Sequence, residues 1–571
     1  MTYIDNAKQW LGSTFDKDTK NQIQHLLDTN PEELEDLFYK DLEFGTGGMR
    51  GVMGIGTNRI NTYTLGRNTQ GICNYLHASS IDEKSLSVVI AYDCRHQSDT
   101  LAQCVAEVFS ANDIQVYIFS SLRTTPELSF AVRQLKCDIG IVLTASHNPP
   151  EYNGYKVYNN EGGQIVPPQD QDIISAINQV HFNEINFSPK HDSIQKIDQR
   201  IDEAFFEAAV HAGSFNAEGK NDLSIVFTPI HGTSITAIPQ VLQKAGYHNV
   251  NIIKEQAEPN GNGAFPTVVS PNPEEAEALN LALTKADEIK ADIVIGTDPD
   301  SDRLGIAVRD ANDKMILLNG NQTMVVMTQF LLEEALKKGL NGNEFIASTI
   351  VSTPMILNIA KKFNLKCKIS LTGFKWIGKM ITDFPELKFI GGGEESYGYM
   401  VADFVRDKDA VTSTLLACEI ASQCKANGSS FYNYLIDCYV EYGLYQEKLV
   451  SITKKGKKGA EEIEQMMLNF KKTPPTSIAG SKVKFFEDYA TSEKTNLLSG
   501  EKLAITLPKS KVFIFETEDG TRVAARPSGT EPKIKFYISA NTSLNSKEEY
   551  AARQEELEKK IQRILTEFKL N

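Results

Sequence analysis

The sequence contains no run of 18 apolar residues, so nothing in it reads as a membrane-spanning helix. Excess positive charge is also missing. Its 59 Lys and Arg are outnumbered by 74 Asp and Glu, and the net charge of −15 argues against nucleic acid or an anionic membrane surface as partner. An anionic small substrate stays open, because a local Arg/Lys cluster can dominate inside a cleft. The eight cysteines form no Cys-x-x-Cys pair and no grouping with His at zinc spacing, which predicts reduced core residues in a cytosolic protein. The opening "MTYIDNAKQWLGSTFDKD" lacks a basic segment followed by an apolar run, so no signal peptide is expected and the location is read as cytoplasmic. No Walker spacing occurs, and "LEFGTGGMRG" from Leu42 does not fit a dinucleotide fingerprint. A P-loop and a Rossmann cofactor are therefore unsupported.

At 571 residues the chain exceeds what one core can organise, and its 41% hydrophobic and 23% charged content is ordinary for a globular protein. Strand and helix patterns alternate in three successive passes. The first passes through "LSVVIAYD" and "IQVYIFSS" and ends with "DIGIVLTA", just before Ser146. The second passes through "LSIVFTPI" and "VNIIKE" and ends with "ADIVIGT" before "DPDSDR"; the third ends with "LKFIGG" before "GEESYGY". Such alternation predicts parallel sheets covered by helices, with ligands at the carboxyl ends of the strands. Three similar domains presenting three polar loops to one cleft are expected. The remainder is read as a charged helical stretch over 447–473, a hairpin around "EDG", a further strand and a final amphipathic helix over 546–568, an α+β pattern.

Each loop has a chemical reading beside a plain one. "GTDPDSDRLG" puts Asp298, Asp300 and Asp302 at alternate positions, roughly 6.7 Å apart in an extended chain. To share one Mg²⁺ at roughly 2.0–2.1 Å, the loop must bend around the ion. Without a cation, three like charges in five residues repel, so a metal is favoured over a solvated turn. An aspartyl phosphatase of the haloacid-dehalogenase type would use a similar carboxylate string. "RPSGTEPK" offers Arg526, Ser528, Gly529 and Thr530: a bidentate guanidinium, hydroxyls and a flexible backbone suited to phosphate, or else an ordinary turn. "GGGEESYGY" sets Glu394 and Ser396 after three glycines, a pairing that suits vicinal sugar hydroxyls. Arg50 either meets a phosphate or pairs on the surface. Ser146 lies outside any Gly-x-Ser-x-Gly elbow, and His147, its neighbour in sequence, is awkwardly placed as its base. In the company of a metal loop and a phosphate loop, Ser146 reads as a phosphoryl carrier. His231 in "TPIHGTS" reads as a structural histidine.

In this order the four loops resemble those of the α-D-phosphohexomutase superfamily, over nearly the whole chain from about Phe44 to Tyr537. "TASHNPPEYNGYK" is similar to its phosphoserine loop, "DPDSDR" to its magnesium loop, "GEES" to its sugar loop and "RPSGTEP" to its phosphate loop. "FGTGGMRG", "LTGFKWIG" and "VRDKDAV" look closest to the phosphoglucomutase-2/phosphopentomutase branch. The resemblance implies three similar α/β domains with mixed, mostly parallel sheets and a smaller C-terminal α+β domain around a central cleft. The expected boundaries are 1–208, 209–320, 321–446 and 447–571. It implies a phosphoryl-carrying Ser146, with Mg²⁺ held by Asp298, Asp300, Asp302 and that phosphate, and His147, Lys156, Arg303 and Lys408 as further catalytic residues. Lys156 and Lys408 are the matched candidates for acid/base work, which requires a depressed lysine pKa. Some related phosphomannomutases place a histidine where this chain has Phe374, next to Lys375. Sugar phosphates are expected to contact Arg50, Thr372, Gly373, Lys375, Glu394, Ser396, Arg526, Ser528, Gly529 and Thr530. The implied reaction interconverts hexose 1- and 6-phosphates of glucose, with mannose as a second sugar and glucose 1,6-bisphosphate as activator. Phosphopentomutase and bisphosphate synthase are the alternatives. A monomer or homodimer is expected.

Overall fold

The structure is a computed structural model that describes residues 2–45, 47–80, 85–454, 456–528 and 532–570. It divides into two compact units. One comprises 1–320, 374–391 and 396–428; the other comprises 321–373, 392–395 and 429–571.

The first sheet contains β1 (Gly48–Val52), β2 (Ser87–Tyr92), β3 (Gln115–Phe119), β4 (Ile139–Leu143), β5 (Tyr152–Asn159) and β6 (Ile194–Ile197), in the order β1-β5-β4-β2-β3-β6. Its parallel centre is the expected one. Every residue of β4 is buried, which only an apolar run can satisfy. Beyond β4 the chain reverses, so β5 runs antiparallel to β4 and to β1. The second sheet, with β7 (Ile225–Thr228), β8 (Val250–Ile252), β9 (Ile293–Thr297), β10 (Leu304–Arg309) and β11 (Met315–Leu317), repeats the plan in the order β11-β10-β9-β7-β8. Here β7 is parallel to β8 and β9, and β10 returns antiparallel. The third contains β12 (Glu344–Thr349), β13 (Lys366–Ser370), β14 (Lys388–Gly393) and β15 (Tyr399–Val401), in the order β13-β12-β14-β15.

The shared order is informative. Ser146 lies between β4 and β5, Asp298–Asp302 between β9 and β10, and Glu394–Ser396 between β14 and β15. The three loops therefore occupy one topological position in three copies of one sheet plan, at the carboxyl end where such sheets place ligands. The mixed, mostly parallel α/β architecture is as expected from the sequence.

The C-terminal segment corrects one reading. The stretch taken as helical over 447–473 is a ten-residue strand, β16 (Leu444–Thr453), followed by a helix at Gly456–Lys472. β16 pairs antiparallel along its whole length with the later strand Lys533–Thr542. A long cross-strand ladder outweighs the helix-favouring Glu and Lys of "QEKLVSIT". The expected hairpin is present, Phe513–Thr517 against Arg522–Pro527, and the closing helix spans Tyr550–Glu567. At the other end, helices at Tyr3–Gln9, Lys17–Thr29 and Pro31–Phe38 bury Trp10, Phe15 and Phe38 in an aromatic cluster.

Candidate active site

Within the first unit, the turn after β4 places Ser146 in the left-handed region at φ 53°, 1% exposed. Its N–H donates to Thr144 Oγ1 at 2.8 Å, and its Oγ donates to Asp298 Oδ2 at 2.8 Å. Two residues distant by 152 positions in sequence thus meet, because their loops leave equivalent ends of two equivalent sheets. His147 Nδ1 lies 3.2 Å from the same Oγ. Burial, then the cations Arg303 and Arg50, hold His147 well below the usual imidazole range, so it is neutral beside the serine. Arg50, on β1, reaches Asn148 Oδ1 at 3.5 Å.

The acidic loop bends as a metal site demands. Asp298, Asp300 and Asp302 are all buried, with one oxygen from each inside a 4.8 Å span. Asp298 Oδ1 accepts from the N–H groups of Asp302 and Arg303, both at 3.0 Å, which curls the loop. Ser301 takes φ 63° at the bend. Gly232 makes the close approach possible: a Cβ there would stand 2.5 Å from Pro299 Cα. Asp300 Oδ2 accepts from Thr125 Oγ1 at 2.9 Å and from Lys156 Nζ at 2.6 Å. Asp302 Oδ2 accepts from Lys156 at 3.0 Å and lies 3.2 Å from Lys408 Nζ. Arg303 Nε is 4.0 Å from Asp302 Oδ1, and its guanidinium pairs with Glu274.

These contacts set the charge state. Burial, then repulsion from Asp300 and Asp302, pushes Asp298 well above the ordinary carboxylate range. The other two are held low. Burial opposes their charge, yet Lys156 outweighs it at Asp300, and Lys156, Lys408 and Arg303 outweigh it at Asp302. Lys156 is itself raised, since Asp300 and Asp302 outweigh its burial. The depressed pKa that acid/base work by Lys156 needs is therefore not found in this arrangement.

A hard divalent cation fits the donor set. All three side chains offer carboxylate oxygen, and the Oδ1 atoms of Asp300 and Asp302 are buried without a hydrogen-bond partner among the described residues. Leaving two such acceptors dry is costly unless a ligand meets them. The 4.8 Å span is little more than twice the roughly 2.1 Å radius of Mg²⁺ coordination.

Around this centre lie residues that the sequence reading missed. Thr125 holds Asp300. Arg95 donates to the carbonyls of the serine loop, to Ser146 O and Pro149 O at 2.7 Å and Tyr152 O at 3.0 Å. Tyr158 donates to Asp407 Oδ2 at 2.8 Å, and Lys408 Nζ is 3.2 Å from Asp407 Oδ1. Lys408 also lies 5.6 Å from the centre of the Phe374 ring, so that ring supports a cation. Arg95 and Thr125 had a positional signal, since each follows a parallel strand, β2 or β3, at the same sheet edge. His231 is buried and bonded on both nitrogens, to Glu258 and Thr267, each at 2.8 Å, which suits a structural role.

The second unit carries the other loops. Glu394 is buried, and its neighbour Glu395 accepts from Thr349 Oγ1 at 3.2 Å and Ser352 Oγ at 3.1 Å. Thr372 Oγ1 is buried without a hydrogen-bond partner among the described residues, and Gly373 takes φ 111°. Arg526 pairs in register with Lys535, and Ser528 N–H donates to Lys533 O at 2.7 Å. Gly529 and Thr530 lie outside the described residues. Ser396 and Lys375 belong to the first unit; Lys375 opens the helix Lys375–Asp383, its Nζ 5.8 Å from the Trp376 ring.

Four family models match the chain in order: the phosphoglucomutase/phosphomannomutase alpha/beta/alpha domains I, II and III at residues 41–184, 203–312 and 319–439, and the C-terminal domain at 481–557. A phosphoglucomutase of Staphylococcus epidermidis is 38% identical over 514 residues, 89% of this chain and 92% of that one. One from Staphylococcus aureus is 36% identical over 523 residues, 90% and 93% respectively. Among solved structures, a phosphoglucomutase/phosphomannomutase family protein of Burkholderia thailandensis matches the fold with a TM-score of 0.66 at 17% identity, covering 92% of this chain and 97% of that one. Parafusin of Paramecium matches with a TM-score of 0.64 at 18% identity, covering 92% and 96%. A buried serine hydroxyl on an aspartate triad, carried by sheets of this plan, thus comes with sequence likeness along nearly the full length: the chain belongs to the phosphoglucomutase/phosphomannomutase family of phosphohexomutases.

Proposed function

We propose that the protein interconverts glucose 1-phosphate and glucose 6-phosphate, with mannose phosphates as second substrates, by way of a phosphorylated Ser146. The observation that carries this reading is the 2.8 Å hydrogen bond from Ser146 Oγ to Asp298, inside a buried triad with two unmet carboxylate oxygens. In the first half-reaction the bond between phosphorus and Ser146 Oγ breaks as a bond to the free sugar hydroxyl oxygen forms, giving glucose 1,6-bisphosphate. The bisphosphate turns over and returns its other phosphoryl group to Ser146 Oγ. Mg²⁺ held by Asp298, Asp300 and Asp302 would neutralise phosphoryl charge, the main need of such transfers.

This chain's residues do the positioning. Thr144 fixes the backbone of Ser146, and neutral His147 flanks its hydroxyl without competing for protons. Lys156, Lys408 and Arg303 supply positive charge at the triad; a lysine can take the proton of the sugar hydroxyl only once its pairing with the aspartates is loosened, as bound Mg²⁺ would do for Lys156. Glu394 and Ser396 orient the sugar hydroxyls with Thr372, Gly373 and Lys375. Arg526, Ser528, Gly529 and Thr530 hold the distal phosphate, with Arg50 as a further contact. In this reading the chain works as four domains, divided after residues 208, 320 and 446, in a cytoplasmic setting. Phosphate-monoester hydrolysis is among the slowest uncatalysed reactions, so a site that activates the phosphoryl group must exclude water.

The test is intact-mass analysis paired with a coupled assay. Wild-type protein is expected to carry a fraction heavier by one phosphoryl group and to turn over glucose 1-phosphate when glucose 1,6-bisphosphate is added. Ser146→Ala is expected to lose both, and full turnover in Ser146→Ala would sink the proposal. Replacing Asp300 with Ala is expected to abolish Mg²⁺-dependent turnover in a folded protein.

A further inference from the structure

One guanidinium carries the serine loop. Arg95 is 3% exposed and sits in the turn after β2, fifty-one residues before Ser146. Besides Ser146 O, Pro149 O and Tyr152 O, it donates to Asn148 O, so four carbonyls spanning the whole turn from β4 to β5 converge on two nitrogens. Its own orientation is fixed from behind. The Asp93 carboxylate lies 3.3 Å from Arg95 Nε, and Asp93 Oδ1 accepts from Arg95 N–H at 2.9 Å and from Ser98 Oγ at 2.8 Å.

The other side of Arg95 is closed by the second sheet's segment. The Phe265 ring lies 5.1 Å from the guanidinium carbon. A Cβ on Gly263 would stand 2.7 Å from Arg95 Cα, so only glycine allows that backbone to lie on the arginine. His231 anchors this covering loop through Glu258 and Thr267, while Asn262 N–H donates to His231 O at 3.0 Å. The same segment supplies Asp298 through β9. One body thus presents the carboxylate that meets Ser146 Oγ and the ring that presses on the group holding Ser146.

We propose that Arg95 is a positioning residue for phosphoryl transfer: clamped by Phe265, it holds Ser146 in its left-handed conformation with Oγ in register with the aspartate triad. It touches neither substrate nor the reacting atoms, and it acts through the backbone of the serine loop. The inference rests on Ser146 being the phosphoryl carrier. A displacement of about 1 Å in a reacting group costs about 10²-fold in rate, so the expected effect is on turnover rather than on substrate affinity.

The test compares wild type, Arg95→Lys, Arg95→Ala and Phe265→Leu in the full-length protein, with circular dichroism and thermal unfolding as folding controls. Arg95→Lys keeps the charge but loses the planar fork that reaches several carbonyls. Its kcat is expected to fall about 10²-fold with KM for glucose 1-phosphate within about 3-fold of wild type. Millimolar ethylguanidinium is expected to restore kcat in Arg95→Ala by at least about 10-fold and to leave Ser146→Ala unchanged. Phe265→Leu is expected to fall between wild type and Arg95→Lys. A folded Arg95→Lys with wild-type kcat overturns the inference, as does loss of activity that tracks only the unfolded fraction and resists ethylguanidinium. If Ser146→Ala stays active, the carrier reading itself has failed, a result separate from these.

Discussion

Lys156 shows how much one side chain can decide. It lies on β5 opposite Val142 and is buried, with its ammonium between Asp300 and Asp302. Taking one partner from a buried ion pair leaves uncompensated charge and costs about 3–5 kcal/mol. Lys156→Met is therefore expected to lower the urea-unfolding free energy by that order in metal-free buffer. Adding Mg²⁺ is expected to recover part of the loss, because the cation replaces the missing positive charge. A variant as stable as wild type without Mg²⁺ would mean that the triad carries less charge than its contacts imply.

At the scale of elements, the serine loop and the aspartate loop are each a reversal between the last parallel strand of a sheet and the antiparallel strand that follows. Loops at that point are short and anchored at both ends, so their polar groups are held by strand register. The helix Ala410–Ala426, which follows Lys408, is anchored comparably. Its N-cap Asp409 accepts from Val411 N–H at 2.8 Å and from Thr412 N–H at 3.1 Å. Burial outweighs these bonds and pushes Asp409 up to about 6. A carboxyl whose folded pKa lies above its unfolded value of 3.8 stabilises the fold below that value, and the contribution is lost as pH rises through 6. Asp409→Asn keeps the capping acceptor and removes the titration. Its stability curve is expected to be flatter than wild type between about pH 4 and pH 6, read by thermal unfolding across that range. An unchanged slope would show that Asp409 does not titrate there.

For the whole molecule, a metal held by the triad would make stability depend on its concentration. A ligand that binds only the folded state adds about 2.7 kcal/mol at 100 times its Kd. Calorimetry is expected to find a rise of that order when Mg²⁺ is added to the chelated protein, absent in Asp300→Ala. Chelation should abolish turnover in the same samples, and Mg²⁺ should restore it. No described helix is long and apolar enough to cross a membrane, in keeping with the missing apolar runs.

Much of this is legible in the chain itself. Apolar runs of strand length alternating with helical periodicity dictate the α/β class, because both patterns follow from local geometry. The motifs around Ser146, Asp298–Asp302, Glu394 and Arg526 stand out for the same reason: the residues of each are neighbours in the chain. Other features depend on partners that local pattern cannot join. The start of the stretch read as helical from 447 became a strand because its ladder partner lies some ninety residues later, while Gly456–Lys472 is the expected helix. Arg95, Thr125, Tyr158 and Phe265 acquired their roles only when the sheets brought distant turns together. Chain chemistry alone determined which groups were available to hold a cation and carry a phosphoryl group. Folding decided which of them share a few ångströms, since that proximity is set by how the strands are ordered and reversed.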